Sequence, residues 1–205
     1  SIINSLPYDR EHTTMAHLKM CAHCRAEYDN VNNRRHFSQT NSCNHCSIPV
    51  ALFNDEGEKI TADITLALQF VNDELKAGKT IAVKGIGGYL LLCDAGNDAA
   101  IRNLRERKHR PSKPLAVLYP AVELAQKDVH ISKQEQEALQ SKISPIVLCR
   151  LRHDHSRALH TDIISPGLNK IGVMLPYTGL LYLISKKFGK PFVATSGNLT
   201  GSPII

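Results

Sequence analysis

The sequence predicts an α/β domain preceded by a small four-cysteine, zinc-binding segment. Between about residue 60 and residue 205, short apolar runs typical of strands alternate with amphipathic stretches typical of helices, and this order favours an α/β fold. Before that region, four cysteines form two CxxC pairs separated by eighteen residues. A chain of 205 residues is long enough for one main domain and a small appendage. We therefore predict a zinc-binding segment over residues 1–52 and the α/β domain over residues 53–205.

The helices and strands of the main domain are predicted from periodicity and capping residues. A first helix ends at Gly78, and its apolar face is formed by Ile64, Leu68, Val71 and Leu75. A second helix spans 97–107 with Asn97 as its N-cap. Ser132 and Glu135 form a capping box that opens a third helix. Six apolar runs predict strands, at 80–84, 89–93, 115–119, 145–151, 171–176 and 191–195.

Composition and charge narrow the class of function. The net charge is +6 and the pI is near 9.0, which favours anionic partners such as phosphates, nucleotides or nucleic acid. Aromatic residues make up only 5% of the chain, so few side chains are available to stack on the bases of single-stranded nucleic acid. Small phosphorylated ligands are therefore favoured over nucleic acid as partners. No apolar run approaches the roughly 20 residues of a membrane span, and the first residues do not have the order of a secretory signal. We predict a cytoplasmic protein without membrane contact.

The two cysteine pairs are the predicted ligands of one structural zinc ion: Cys21, Cys24, Cys43 and Cys46. Two residues between the cysteines of a pair let both thiolates meet one ion, and two pairs complete a tetrahedral site without an open position. Two disulfides would also use these cysteines, but they require an oxidising compartment that nothing else in the chain indicates. Three histidines lie close enough in sequence to compete as ligands, namely His23, His36 and His45. Because the segment is short and polar, zinc should supply its folding energy.

A glycine-rich turn between two predicted strands is the first candidate for a substrate site. It reads Lys84, Gly85, Ile86, Gly87, Gly88 and Tyr89. Glycine permits a positive φ there and lets backbone N–H groups approach a ligand without an intervening Cβ. The stretch is neither GxGxxG nor a Walker motif, so a bulge or an irregular hairpin without function is the alternative.

The basic stretch 104–114 is the second candidate. In it, Lys108 and Arg110 stand just before Pro111. Proline disfavours helix at the residue before it, so we predict an extended step in which the two basic side chains point to the same side. An ammonium and a guanidinium aimed together suit a polyphosphate. The alternative is an ordinary solvated helix face.

A polar strand end is the third candidate. Thr195, Ser196 and Asn198 come directly after the predicted strand at 191–195. Their hydroxyls and amide, with the relaxed backbone of Gly197 between them, form a cradle suited to nucleotide phosphates or to an acyl group. A turn followed by a helix cap is the alternative.

The candidates belong to a series of segments whose combination is specific although each segment alone is not. The segments are KGIGGY, LRERKHRPSKPLAVLYP, SPIVLCR, GLNKIGVMLPYTGLLYL and FVATSGNLTGSPI. In this order they resemble the YrdC-like domain of the HypF family of hydrogenase maturation carbamoyltransferases. LPYDREHTTMAHLKMCAHCRAEYDNVNNRR resembles the second of that family's paired zinc fingers. The resemblance covers essentially the whole chain. It implies a twisted mixed sheet with flanking helices, in an internal fragment truncated near the C-terminal end of the YrdC-like domain.

The resemblance implies a definite chemistry. Carbamoyl phosphate and ATP, the latter with Mg²⁺, are converted to carbamoyl adenylate with release of pyrophosphate. In a further domain of the family, the carbamoyl group passes to a cysteine of the partner protein HypE, for the cyanide ligands of nickel-iron hydrogenase. By the KxR and SxN signatures of related enzymes, Lys108 and Arg110 would hold the triphosphate and Ser196 and Asn198 would contact the nucleotide side. Lys84 and the glycine turn after it would enclose the carbamoyl group.

The chain departs from the family's pattern at several positions, and two other classes of function stay open. Leu90 stands where the family usually has the histidine of GGYHL, Arg35 and His36 begin the stretch where RRFH is common, and Ser47 follows the last cysteine where the family has glycine. One other class is a threonylcarbamoyl-adenylate synthase of the same fold, against which the four-cysteine segment and KGIGGY argue. The other is a non-catalytic zinc-containing module that binds nucleic acid, favoured only by the basic charge.

Overall fold

The computed structural model describes residues 3–155 and 159–198. The chain divides into two compact units, Ser1–Ile64 and Thr65–Ile205. The boundary predicted between residues 52 and 53 falls inside the first unit and stays a prediction about the family's domains. The predicted truncation of the second domain at its C-terminal end also stays a prediction.

The first unit is built from short elements and polar contacts. It contains a 3-10 helix at Arg10–His12, helix α1 at Ala22–Asp29, and an antiparallel pair formed by β1 at Leu52–Phe53 and β2 at Lys59–Thr61. Arg10 is buried, and its guanidinium donates to the carbonyl oxygens of Leu18 at 2.6 Å and Gln39 at 2.7 Å. Polar bonds of this kind hold together a segment that has little apolar interior.

A mixed sheet forms the centre of the second unit. Within the described residues its seven strands are β3 at Ile81–Gly85, β4 at Gly88–Asp94, β5 at Ala116–Leu118, β6 at Val129–His130, β7 at Val147–Leu151, β8 at Lys170–Met174 and β9 at Phe192–Ser196. Their spatial order is β3-β4-β9-β5-β8-β7-β6, and the pair β5 and β8 is parallel while the other neighbours are antiparallel. All six predicted strands are confirmed, and the two-residue β6 was too short to show a pattern.

Helices lie on both faces of this sheet. They are α2 at Ile64–Lys76, α3 at Asp98–Arg107, α4 at Val122–Ala125, α5 at Lys133–Leu139, α6 at Thr161–Ile164 and α7 at Gly179–Phe188. The predicted caps are confirmed, since the Asn97 side chain accepts from the Ala100 N–H at 3.0 Å and Ser132 with Glu135 forms the capping box of α5. Helices α4 and α6 have four residues each, too few for a periodic pattern. In the described part of the chain, no helix has the length and apolar character needed to cross a bilayer.

The two faces of the sheet are covered unequally. Val117, Cys149 and Val193 belong to a buried core that also includes residues of α3, α4, α5 and α6. Phe192 points to the opposite face, where its ring lies 6.3 Å from that of Phe188 in α7. Leu148 also lies on that second face, yet 62% of it is exposed. Part of the second face is therefore apolar and open, and the candidate site lies there.

Candidate active site and metal centre

The four predicted metal ligands lie together in the first unit. Cys21 precedes α1 and Cys24 lies in its first turn, while Cys43 and Cys46 flank a tight turn. Their four Sγ atoms lie within 4.8 Å of one another, with 3.6 Å between Cys21 and Cys43 and 3.9 Å between Cys43 and Cys46. Sulfurs bound at about 2.3 Å to a tetrahedral zinc ion are about 3.8 Å apart, so this donor set fits zinc. The same distances are too long for disulfides, and the cysteines are free thiols.

The surroundings shift the pKa values of the sulfurs in opposite directions, since burial raises the pKa of the Cys24 thiol while a backbone hydrogen bond lowers that of Cys43. Backbone N–H groups of Cys21 and Cys43 lower the pKa of the Cys46 thiol to about 6. Asn41 donates to the carbonyl oxygen of Cys24 at 2.9 Å and so ties the segment before the second pair to the first pair. Within the described residues, none of the candidate histidines joins the sulfur cluster.

The glycine turn is a regular two-residue hairpin. Lys84 pairs with Tyr89 and Gly85 pairs with Gly88 across β3 and β4, without a bulge. Gly88 has a φ of 125°, a conformation that L side chains rarely adopt, so the need for glycine is confirmed at this position. The Lys84 amine lies 4.6 Å from the centre of the Tyr89 ring in a cation–π contact.

The backbone at Lys108 and Arg110 differs from the predicted extended step. Lys108 closes α3 in a helical conformation, with φ −85° and ψ −3°. His109 is left-handed with a φ of 48°, and the N–H groups of His109 and Arg110 donate back to the carbonyls of Glu106 and Arg105. These two bonds form a Schellman motif that ends the helix. The prediction was wrong because proline restricts only the residue directly before it, which left Lys108 able to complete the helix.

Both basic side chains nevertheless reach the end of β9. The Lys108 Nζ donates to the carbonyl oxygens of Ser196 at 2.5 Å and Asn198 at 2.7 Å. The Arg110 Nη1 donates to the Thr195 hydroxyl at 3.4 Å. The Ser196 hydroxyl in turn donates to the side-chain oxygen of Asn198. The structure thus brings the two predicted cations together with the three polar residues of the strand end.

Arg105 is a positioning residue that the sequence analysis did not single out within the basic stretch 104–114. Only 7% of it is exposed. Its guanidinium donates to five carbonyl oxygens at 2.7–3.3 Å, those of Ile163, Ile164, Arg110, Pro111 and Lys113. These bonds hold the loop that carries Arg110 against the end of α6. Its position one turn after the buried Ile101 was the signal that could have identified it.

The three basic residues form a cationic cluster. Burial lowers the pKa of Arg105, Lys108 and Arg110, and the charge of Arg110 lowers the pKa of the other two further. Among the described residues, no carboxylate forms a salt bridge with Arg105 or Arg110. Like charges held this close favour an anion beside them, and a polyphosphate is the anion that best matches an ammonium and a guanidinium together.

A cavity of about 470 Å³ opens beside this cluster on the second face of the sheet. Arg110, Thr195 and Ser196 line one end. Three small residues, Ala116, Gly172 and Ala194, stand side by side on neighbouring strands and form part of its floor. Its volume lies in the range of small-molecule sites, and its apolar floor with a polar end suits a nucleotide. The lining residues Ser144 and Tyr177 were not predicted as site residues, because each lies in a loop beside a strand and the segments SPIVLCR and GLNKIGVMLPYTGLLYL assign no role to them.

Gly197 joins the strand end to the glycine hairpin. Its N–H donates to the Tyr89 carbonyl at 2.6 Å, and a Cβ at this position would lie 2.8 Å from the Tyr89 Cβ. Gly197→Ala is therefore expected to push the Ser196 and Asn198 turn away from β4, to lower the free energy of unfolding by about 1–3 kcal/mol, and to weaken nucleotide binding. Urea titration and equilibrium dialysis with ATP measure the two effects.

The matched control is Gly179→Ala at the start of α7, where a Cβ would meet nothing within 4 Å. Alanine is a better helix former than glycine, so the stability should stay the same or rise by up to about 1 kcal/mol. Equal behaviour of the two variants would contradict the role assigned to Gly197.

Two family models match the chain. The model described as "HypF finger" matches residues 20–53, and the model of the Sua5, YciO and YrdC proteins, described as "Telomere recombination", matches residues 73–205. The chain belongs to the Sua5/YciO/YrdC family. The first match contains all four cysteines of the metal centre, and the second contains the hairpin, the cationic cluster and the strand end. The YrdC-like fold and the zinc finger before it are confirmed.

Over its whole length the chain is similar to HypF proteins. It is 42% identical over 203 residues to the carbamoyltransferase HypF of Rhodobacter capsulatus and 44% identical over 204 residues to that of Synechocystis sp.. These matches cover 99% and 100% of this chain but 26% of each relative. The crystal structure of full-length HypF in the phosphate- and nucleotide-bound form matches with a TM-score of 0.80 and 36% identity, covering 100% of this chain and 26% of that one. The resemblance to HypF is confirmed, and the chain spans about a quarter of the length of these relatives.

A more distant relative is an enzyme of another name. Threonylcarbamoyl-AMP synthase of Vibrio campbellii is 30% identical over 132 residues, which cover 63% of this chain and 70% of that protein. The YrdC-like part of the chain is therefore related to two named enzymes, and the fold alone does not separate their substrates.

Proposed function

We propose that this YrdC-like domain binds ATP with Mg²⁺ and forms carbamoyl adenylate, as part of a HypF carbamoyltransferase. The proposal is carried by the convergence of Lys108 and Arg110 on the end of β9, at the edge of a cavity of about 470 Å³. A cationic cluster in which no described carboxylate pairs with Arg105 or Arg110 suits a triphosphate, and an adjoining hairpin rich in glycine suits a very small acyl group. The similarity to HypF in its phosphate- and nucleotide-bound form supports the same reading.

The proposed step is an attack by carbamate on ATP. Water first hydrolyses carbamoyl phosphate to carbamate and inorganic phosphate. This hydrolysis is not part of the reaction proposed for this site. A carbamate oxygen then forms a bond to the α-phosphorus, the bond from that phosphorus to the bridging oxygen breaks, and pyrophosphate leaves. Charge on the leaving phosphates increases during this displacement, so fixed cations beside them lower the barrier.

Each residue of the cluster has a distinct part in this proposal. Arg110 presents its guanidinium to the phosphates from the cavity wall. Lys108 adds charge and holds the strand-end turn through two backbone carbonyls, which places Ser196 and Asn198 toward the nucleotide. Lys84 and the hairpin from Gly85 through Gly87 and Gly88 to Tyr89 enclose the carbamoyl group. The cavity lining contains no carboxylate among the described residues, so Mg²⁺ would enter as the ATP complex.

The whole protein would use the product elsewhere. In the HypF pathway implied by the resemblance, a further domain transfers the carbamoyl group to the C-terminal cysteine of HypE, from which the cyanide ligands of nickel-iron hydrogenase are made. We propose the cytoplasm as the location, with neither nucleic acid nor a membrane as partner. The zinc ion of the finger is structural, since four thiolates leave no position for a substrate.

Lys108→Ala and Arg110→Ala are each expected to raise the dissociation constant for ATP by about tenfold or more. Charge-assisted hydrogen bonds to phosphate contribute about 1.5–3 kcal/mol each, and Lys108→Ala also releases the strand-end turn. Equilibrium dialysis with labelled ATP measures the change in affinity.

Arg107→Ala is the control, because Arg107 ends the same helix and is exposed. It removes one positive charge from the neighbourhood without touching the cluster, so its effect on ATP affinity should be less than about twofold. Unchanged affinity in both cluster variants, with folding verified by urea titration, would exclude a phosphate-binding role for the KxR residues.

Exchange of labelled pyrophosphate into ATP tests the reaction itself. It should be measured with the 205-residue chain and with the protein at the length of its HypF relatives. One set of tubes contains carbamoyl phosphate, a second contains ammonium bicarbonate as a source of carbamate, and a third contains threonine with bicarbonate. The second tube supplies the acyl donor without any need for the hydrolysis of carbamoyl phosphate.

The outcomes separate the candidate functions. Exchange with carbamate or carbamoyl phosphate but not with threonine supports carbamoyl adenylation. Exchange only with threonine and bicarbonate assigns the chain to threonylcarbamoyl adenylation, which the relationship to the Vibrio campbellii enzyme favours as second candidate. If the longer protein exchanges no pyrophosphate in any of the three tubes, both adenylation reactions are contradicted and a non-catalytic binding module is favoured.

A further inference from the structure

Tyr177 lines the cavity and was not predicted as a site residue, although it lies in the segment GLNKIGVMLPYTGLLYL. It lies in the connection between β8 and the N-cap of α7, and it lines the same cavity as Arg110, Thr195 and Ser196. Its hydroxyl reaches the glycine hairpin, because a Cβ built on Gly85 would lie 3.5 Å from the Tyr177 Oη. The side chain therefore links the nucleotide cavity to the hairpin.

The hydroxyl of Tyr177 has no hydrogen-bond partner within the described residues. Buried tyrosines normally pair their hydroxyls, and the two buried tyrosines of the described residues follow that rule. Tyr119 donates to Asp128 at 3.1 Å, and Tyr28 donates to Asp9. Tyr177 is 36% exposed and lines the cavity, in which a ligand would replace water.

The protonation state of Tyr177 suits a hydrogen bond to a neutral acyl group. Burial raises the pKa of its phenol, so the group carries its proton at neutral pH. A phenol can donate one hydrogen bond and can accept another. A carbamoyl group offers a carbonyl acceptor and an amide donor on the same carbon, and a phenol can serve either one.

We infer that the Tyr177 hydroxyl binds the carbamoyl group of the acyl adenylate, opposite the glycine hairpin, and so helps to select a one-carbon acyl group that carries an amide. This inference rests on the proposed function and deepens it. Two placements carry it: Arg110 of the cluster lines the cavity together with Thr195 and Ser196, and the Tyr177 hydroxyl lies close to the hairpin assigned to the acyl end, 3.5 Å from where a Cβ on Gly85 would stand. Tyr177 is thus a substrate-contacting residue of that end.

The test compares two stable adenylate analogues that differ only in the acyl group. One is 5′-O-sulfamoyladenosine, which lacks an acyl group, and the other is its N-carbamoyl derivative. Binding to the zinc-loaded 205-residue protein is measured by titration calorimetry, with no turnover required. In Tyr177→Phe, the affinity for the carbamoyl derivative should fall about tenfold, while that for the parent compound should change by less than about twofold.

Tyr182→Phe is the matched control, because Tyr182 is 50% exposed on α7 and does not line the cavity. It should bind both analogues as the unchanged protein does. If Tyr177→Phe weakens both analogues equally, or neither, the assignment to the acyl group is overturned. If the unchanged protein prefers neither analogue over adenosine, the proposed adenylation fails and the inference fails with it. If the unchanged protein binds the carbamoyl derivative more tightly than the parent compound and Tyr177→Phe keeps that difference, the inference about Tyr177 is overturned while the proposed adenylation stands.

Discussion

Cys24→Ser is expected to abolish stoichiometric zinc binding and to unfold the finger, residues 20–53. Cys24 is fully buried among the other three sulfurs, and the oxygen of serine is a poor replacement for a thiolate in a four-sulfur site. Binding of structural zinc contributes about 10–16 kcal/mol in isolated fingers, and that energy is folding energy. The polar interior of the first unit offers little to replace it.

The second unit should survive this change. Its main buried core runs from Cys93 to Val193 and uses no residue of the finger. Elemental analysis should show one zinc per chain before the change and none after it, and hydrogen exchange should show protection lost over 20–53 and kept in the sheet. Cys149→Ala is the control, since it removes a core thiol outside the finger and should leave zinc at one per chain. An ordered finger without zinc would contradict the assignment.

Arg105→Met is expected to lower the free energy of unfolding by about 3 kcal/mol and to weaken ATP binding at temperatures where the protein stays folded. The change keeps most of the apolar stem but removes the guanidinium, and it leaves five carbonyl oxygens without their donor in a place that water reaches poorly. The loop that carries Arg110 then loses its attachment to α6, so Arg110 is no longer held beside Thr195.

Lysine in place of Arg105 is expected to give a stability between those of the unchanged protein and Arg105→Met. Its ammonium keeps the charge but cannot reach α6 and the loop together, so Arg105→Lys should recover part of the stability and little of the ATP affinity. Arg102→Met is the control on the same helix, because Arg102 is exposed and forms a salt bridge with Asp98 across one turn. That pair is expected to contribute less than about 0.5 kcal/mol. Urea titration and equilibrium dialysis with ATP report both quantities. If Arg105→Met lowers the stability but leaves the ATP affinity unchanged, Arg105 has a structural role only and does not position Arg110 for ATP binding.

Local patterns predicted most of the elements for a clear reason. The six strands, the helix begun at Ile64 and the caps at Asn97 and Ser132 depend on residues within one or two turns of each other. The cysteine spacing is local as well, because two residues between thiolates suffice to place both on one ion. Helix α7 was not predicted from the sequence, because a short apolar run is compatible with either a strand or a helix until the elements packed against it are known.

The site needed contacts that the sequence does not contain. Lys108 donates to carbonyl oxygens of residues 88 and 90 positions away in the chain. The backbone after Lys108 forms a Schellman motif with His109 in the left-handed region, whereas an extended step was predicted. Tyr177 approaches Gly85 from the loop after β8, 92 residues away in the chain. Which residues meet at the end of β9 follows from the strand order β4-β9-β5, and that order is a property of the whole sheet.

The sequence by itself therefore determined the α/β class, the strands and capped helices, the zinc ligands and the resemblance to HypF, because each depends on residue type at short spacing. The tertiary structure alone decided that Arg105 is a buried clamp with five carbonyl partners, that Arg110 reaches Thr195 through it, and that the Tyr177 hydroxyl lies between the cavity and the hairpin. Two of the five Arg105 partners, the Thr195 partner of Arg110 and the Gly85 neighbour of Tyr177 lie 58 to 92 positions away in the chain, and only the folded sheet brings them together.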